Sequence, residues 1–225
     1  MTTFTAENAT EIRTGVSWDD YVKLRDSRES SGLRLTYHDG TLVIMSSEYI
    51  HESGAERLNI IVQSVAEVLD LDVAPTRTTT FRRKGTRPRK GSGKEPDLSF
   101  YFGANERSIR DKDSIDLDLD PPPDLAIEVD HTAASDYAFP IYVALGVPEV
   151  WRYDARERTL TFHRLTENAY RNVDQSVCLP VLTIDLVLQA MDAFHVGMRY
   201  YDWVRWVRGW ARGLVTPHDD TERRP

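Results

Sequence analysis

The stretch Lys94-Glu95-Pro96-Asp97-Leu98-Ser99-Phe100-Tyr101-Phe102, and after a polar loop Pro123-Asp124-Leu125-Ala126-Ile127-Glu128-Val129-Asp130, decides how this chain is read. The runs that follow Asp97 and Asp124 are short, apolar and rich in β-formers, so both are predicted to be strands. Alternate side chains of a strand share a face, so Glu128 and Asp130 point the same way. If the two strands are neighbours, Asp97, Glu128 and Asp130 meet at one sheet edge. Carboxylate oxygens gathered in this way suit a hard cation such as Mg²⁺ or Mn²⁺, and such a centre suits phosphoryl chemistry.

Working outward, Leu33–Tyr37 and Thr41–Met45 flank His38-Asp39-Gly40, a strong hairpin signal. Ser17 before Trp18-Asp19-Asp20 reads as the N-cap of a short helix. Ile50, Ala55, Leu58, Ile61, Val62, Val65 and Leu69 recur at helical spacing and predict a long helix, with His51 and Glu52 in its first turns. Leu71 to Phe81 reads as a further strand. Arg82 to Lys94 crowds cations into a glycine- and proline-broken loop that ends at Asp97, where Arg87, Arg89 and Lys90 are candidates for phosphate contact. A helix around Pro140 to Gly146 leads to a second hairpin, Val150–Asp154 with Thr159–Leu165, in which His163 is expected to be exposed. Val181 to Met191 is a short apolar helix. Gly197 to Gly213 carries Tyr200, Trp203, Val207 and Trp210 on one face and arginines on another, a stripe that marks packing or a homodimer contact.

Four stretches resemble the Uma-type putative restriction endonuclease family of the PD-(D/E)XK nuclease superfamily. They are Gly32 to Ser46 with His51-Glu52, Glu95-Pro96-Asp97 with Phe100-Tyr101, Pro123 to Asp130, and Pro140-Ile141-Tyr142 through Gly146-Val147-Pro148-Glu149-Val150-Trp151. The resemblance covers most of residues 16 to 185. It implies an α/β (α+β) fold, a restriction-endonuclease-like mixed β-sheet flanked by helices. Within it, Asp97, Glu128 and the backbone carbonyl of Val129 would hold Mg²⁺ or Mn²⁺, and Glu52 and His51 would lie near the metal. Asp130 stands at the motif's lysine position. The lysine that active relatives place four residues before the tyrosine is here Ala138. Three readings follow: Lys94 or Lys90 supplies the ammonium, the centre works without one, or the protein is a degenerate nuclease that binds nucleic acid or assembles without cutting.

The bulk properties agree with one domain. The expected organisation is a loose segment 1–15, a nuclease-like domain 16–192, a C-terminal amphipathic helix 193–213 and a tail 214–225. A net charge of −8 argues against a protein that coats nucleic acid broadly, although a local basic stripe can still dock DNA. No apolar run approaches a membrane span, no signal-peptide pattern opens the chain, and the lone Cys178 forms no internal disulfide, so a reducing cytoplasm is expected. Phosphate-loop, dinucleotide, zinc-finger and serine-elbow patterns do not occur, which leaves ATP, NAD, zinc and serine-hydrolase roles without support.

Overall fold

A computed structural model describes residues 11–27, 33–46, 49–77, 79–85, 91–130 and 138–215. The side chains of 45, 46, 49–51 and 130 lie outside that description. In order, the elements are β1 (Glu11–Thr14), α1 (Trp18–Arg25), β2 (Leu33–His38), β3 (Thr41–Ser46), α2 (Tyr49–Val68), β4 (Val73–Pro75), β5 (Phe81–Lys84) and β6 (Gly91–Lys94). They continue with β7 (Leu98–Phe102), α3 (Gly103–Ile109), β8 (Leu125–Asp130), α4 (Ala138–Leu145), β9 (Glu149–Asp154), β10 (Thr159–Thr166), β11 (Ala169–Val173), α5 (Ile184–Asp192) and α6 (Tyr200–Val215).

The fold is the expected mixed α+β type, but its strands form two sheets. An antiparallel sheet has the order β1-β3-β2-β6-β5, and a mixed sheet has the order β11-β10-β9-β8-β7-β4. Among the described residues only β8 and β9 run parallel, and α4 lies between them in the chain. Gly146 takes a φ of +80° and stops α4, so the chain can turn into β9. At the first hairpin, Asp39 and Gly40 have φ of +44° and +89°, the two positive values that a tight β2–β3 turn needs.

Three apolar clusters hold these layers. α2, α5 and α6 cover one face of the mixed sheet, with Leu58, Ile61, Val62 and Val65 of α2 fully buried against it. Each such side chain contributes roughly 1.5–3 kcal/mol. α4 covers the other face with Ile141, Tyr142 and Leu145. α1 lies on the antiparallel sheet, where Tyr21 stacks on Tyr37 at 4.8 Å and Ser17 caps the helix through Asp20 N at 3.0 Å.

Several sequence expectations are corrected here. The N-terminal segment expected to be loose contains β1, which pairs with β3. Leu71 to Phe81 is not one strand, because β4 ends at Pro75 and β5 begins at Phe81 in the other sheet. The basic loop is largely a hairpin arm: β5 and β6 pair from Phe81↔Lys94 to Lys84↔Gly91. Arg87, Arg89 and Lys90 fall outside the described residues. The polar segment after Phe102 begins as α3, and β11 adds an edge strand. His163 is half-buried against Phe139, with ring centroids 4.6 Å apart, and burial lowers its pKa. In α6, Trp203, Val207 and Ala211 are buried in the core under α2 and α5, and Trp203 Nε1 donates to the Ala190 carbonyl at 3.0 Å.

β6 reads as a linker because it is half glycine, yet it is a buried strand. A Cβ at Gly93 would strike the hydroxyl of the stacked Tyr21, and one at Gly91 would press on the Trp18 ring. Gly93→Ala is therefore expected to cost about 1–3 kcal/mol by overpacking. Gly209→Ala, in open space on α6, is expected to add roughly 0.5–1 kcal/mol. Urea denaturation midpoints of the two variants check both signs.

Candidate active site

The chain passes from one sheet to the other in three residues. β6 ends at Lys94, Glu95-Pro96-Asp97 makes the crossing, and β7 begins at Leu98. The crossing is clamped. Arg25 Nε donates to Thr80 Oγ1 at 2.6 Å and pairs with Glu95, and Thr80 Oγ1 donates to Glu95 Oε1 at 2.5 Å. Lys94 and Asp97 are thereby fixed on either side of the seam.

β7 pairs with β8 through Leu98↔Ile127, so Asp97 falls beside the next residues of β8. Its Oδ2 accepts the Val129 N–H at 2.5 Å, and its side chain is only 6 % exposed. The N–H and C=O of one strand residue face the same neighbour, so the Val129 carbonyl also turns toward the β7 side. Ile127 and Val129 point into the core under α2, while Ala126 points into the core under α4. Alternation thus sends Glu128 to the α4 side, where Tyr142 donates its hydroxyl to Glu128 Oε1. Lys94 Nζ lies 3.0 Å from the same oxygen, with side-chain exposures of 4 % for Lys94 and 9 % for Glu128. Burial, then the adjacent Glu128 charge, pushes the Tyr142 phenol well above its ordinary value, so it remains a donor.

The second cation comes from β2. Arg34 pairs with Asp97 Oδ1 through one nitrogen and reaches Glu52 Oε1 at 3.0 Å through another. Glu52, in the first turn of α2, is 56 % exposed. Two carboxylates from the mixed sheet are therefore each matched by a cation from the antiparallel sheet. Two further acids, the half-buried Asp124 and the buried Glu149, are satisfied without a cation. Asp124 accepts from Phe102 N and Asn105 Nδ2, and Glu149 accepts from Trp151 Nε1 and from the backbone N–H groups of Val177 and Cys178. Those two acids fasten loops.

The structure thus brings Asp97, Glu128, Val129 and Lys94 together, with Glu52 joined to them through Arg34. Lys94 sits at a buried strand end where the sequence suggests a flexible loop. Asp130 closes β8 opposite Asp154 in the β9 register, and His51 lies in α2, but their side chains are outside the described residues. Among the described residues no group of three or more His, Cys, Asp or Glu is arranged around a common metal position. Ala138 is buried one turn before Tyr142 on the same face of α4. Sequence reasoning missed Arg34. Its one signal is alternation: between Leu33 and the buried Leu35, it faces away from the α1 core. Burial, and then the Glu149 charge, raise the thiol pKa of Cys178.

A mixed sheet that sets an aspartate and a glutamate on adjacent strands, with a lysine beside them, has the layout of a restriction-endonuclease-like protein. The chain belongs to the Uma2 family, described as putative restriction endonuclease, which matches residues 18–196. That description is of nucleases, whose substrates are nucleic acids. No curated protein matches the chain. Among the described residues no helix is long and apolar enough to cross a membrane.

The buried Tyr142 makes a pH prediction. Its pKa is raised in the fold, so above an ordinary phenol value of 10.0 the native state keeps a proton that the unfolded chain loses. Stability contributed by this group is complete below that pH and falls as pH rises further. Urea midpoints measured from pH 9 upward should fall less steeply in Tyr142→Phe than in the wild type.

Proposed function

We propose that the protein is a metal-dependent endonuclease that hydrolyses phosphodiester bonds of DNA at the seam between the two sheets. The observation that carries this reading is the buried Lys94 ammonium 3.0 Å from Glu128, beside an Asp97 held against Val129. The donor set fits a hard divalent cation: two buried carboxylates, with the Val129 carbonyl turned to the same side. Asp97, Glu128 and that carbonyl would hold Mg²⁺ or Mn²⁺, with Glu52 joined to them through Arg34. When bound, the ion supplies charge neutralisation at the phosphate and acidifies a coordinated water.

The chain's own groups do the rest. Lys94 orients the attacking water and offsets charge growing on the phosphate, filling the role that Ala138 leaves vacant. Glu128 fixes the ammonium, and Tyr142 fixes Glu128. Arg87, Arg89 and Lys90, which lie between β5 and β6 in the sequence, would contact phosphates, and the lone Cys178 suits a reducing cytoplasm. A homodimer through α6 would use the outer Trp206–Trp210 stack, since Trp203 and Val207 are already inside the core. One observation favours the rival reading of a non-cutting binding or assembly module: Asp97 and Glu128 are both already paired with cations.

The test is cleavage of plasmid DNA with Mn²⁺. Activity is expected in the wild type and its loss in Asp97→Asn. Lys94→Met should lower the rate by about 10²–10⁴-fold. Ala138→Lys in the Lys94→Met background should recover part of it, because position 138 shares a face with Tyr142. A wild type that neither cleaves nor binds the ion leaves the binding module.

A further inference from the structure

Counting charge at the seam raises a question about Arg34. Asp97 and Glu128 carry two negative charges, and Arg34 and Lys94 supply two positive ones. Glu52 adds a third carboxylate through Arg34, but a divalent cation that enters at Asp97 would stand directly against the Arg34 guanidinium, where like charges a few ångströms apart repel strongly. The organic cation on Asp97 is the one that must yield. Lys94 is 4 % exposed and its ammonium is held on Glu128, not on Asp97. Arg34 is 20 % exposed and already has one nitrogen on Glu52, which is itself mostly in solvent. Asp97 cannot turn its carboxylate away instead, because Oδ2 is fixed by Val129 N. The oxygen that faces Arg34 is therefore the one that an entering ion must take.

We propose that Arg34 is a displaceable cation that guards Asp97, and that a divalent ion releases it to contact the substrate phosphate from the Glu52 side. This rests on the metal-dependent nuclease reading above. Before the ion binds, Arg34 neutralises Asp97 and sets a threshold on ion affinity. After release, its planar fork is close to the scissile phosphate and suited to bidentate contact. Arg34 is in this sense both a competitor and a phosphate ligand, and the two roles have opposite signatures when it is removed.

The experiment uses the full-length chain and Mn²⁺ as the probe. Arg34→Met, with the charge deleted and the stem kept, should bind Mn²⁺ about 10–100-fold more tightly by calorimetry, because a charged partner of Asp97 is gone. The metal-free variant should melt below the wild type, and Mn²⁺ should raise its melting temperature more than it raises the wild type's. With Ca²⁺ replacing Mn²⁺ so that DNA is not consumed, DNA binding should weaken and its salt dependence flatten by about one unit of slope. Should metal-free Arg34→Met fail to fold, Arg34→Lys keeps a charge without the fork to Glu52 and should tighten Mn²⁺ binding by about 3–10-fold. Equal or weaker Mn²⁺ affinity in a folded Arg34 variant than in the wild type overturns the guard role and leaves the nuclease reading intact. Tighter Mn²⁺ with unchanged DNA binding overturns the phosphate role. No Mn²⁺ binding in the wild type or any variant removes the nuclease reading and this inference together.

Discussion

Two carboxylates buried where two sheets meet must be neutralised, and the rest of the molecule is arranged around that requirement. The mixed sheet supplies Asp97 and Glu128, and the antiparallel sheet supplies Arg34 and Lys94. Such pairs add little net stability over an apolar contact, yet removing one partner leaves an uncompensated buried charge at a cost of about 3–5 kcal/mol. The pairs therefore specify more than they stabilise. They require β2 and β6 to face β7 and β8 in one register, because a slip of one residue would turn Arg34 or Lys94 to the other face.

That register is enforced by contacts outside the two pairs. The Tyr21–Tyr37 stack lies over Gly93, so β6 can sit only where its glycines meet the rings of α1. Arg25 and Thr80 hold Glu95 at the crossing. Arg83 spends its guanidinium on the carbonyls of Leu117 and Ala144, which ties β5 to the end of α4. α4 in turn carries Tyr142 to Glu128. Glu128 thus meets Lys94 of β6 and Tyr142 of α4, and α1 and β5 hold those two elements in place.

What the sequence made legible was local or periodic. Asp39-Gly40 names its own turn, Ser17 its own helix start, and the apolar positions of α2 their own face. Asp97 and Glu128 stand at the ends of β-prone runs, so the strands that carry them are visible. The parts that were hidden depend on distant partners. Gly91-Ser92-Gly93-Lys94 has the composition of a linker and becomes a strand only because Trp18 and Tyr21 fill the space that side chains would need. Arg82-Arg83-Lys84 has the composition of a solvated loop, and Arg83 is drawn in by carbonyls from two other segments. Arg34 is one arginine among many until the crossing at Glu95-Pro96 folds β2 over Asp97. Polar residues reveal their role through the partner they find, and hydrophobic periodicity carries no information about that partner.

The same charge count accounts for the alanine at position 138. A lysine there, one helical turn before Tyr142, would address the same region of Glu128 that Lys94 now holds at 3.0 Å. Two ammonium groups on one buried carboxylate would repel each other. Ala138 instead belongs to the apolar cluster that also holds Tyr101 and Ala126. A buried lysine on β6 and a small apolar residue on α4 are then one coupled arrangement. The absence of a lysine from the helix is, in this geometry, the condition under which a lysine from the neighbouring sheet can be buried at Glu128.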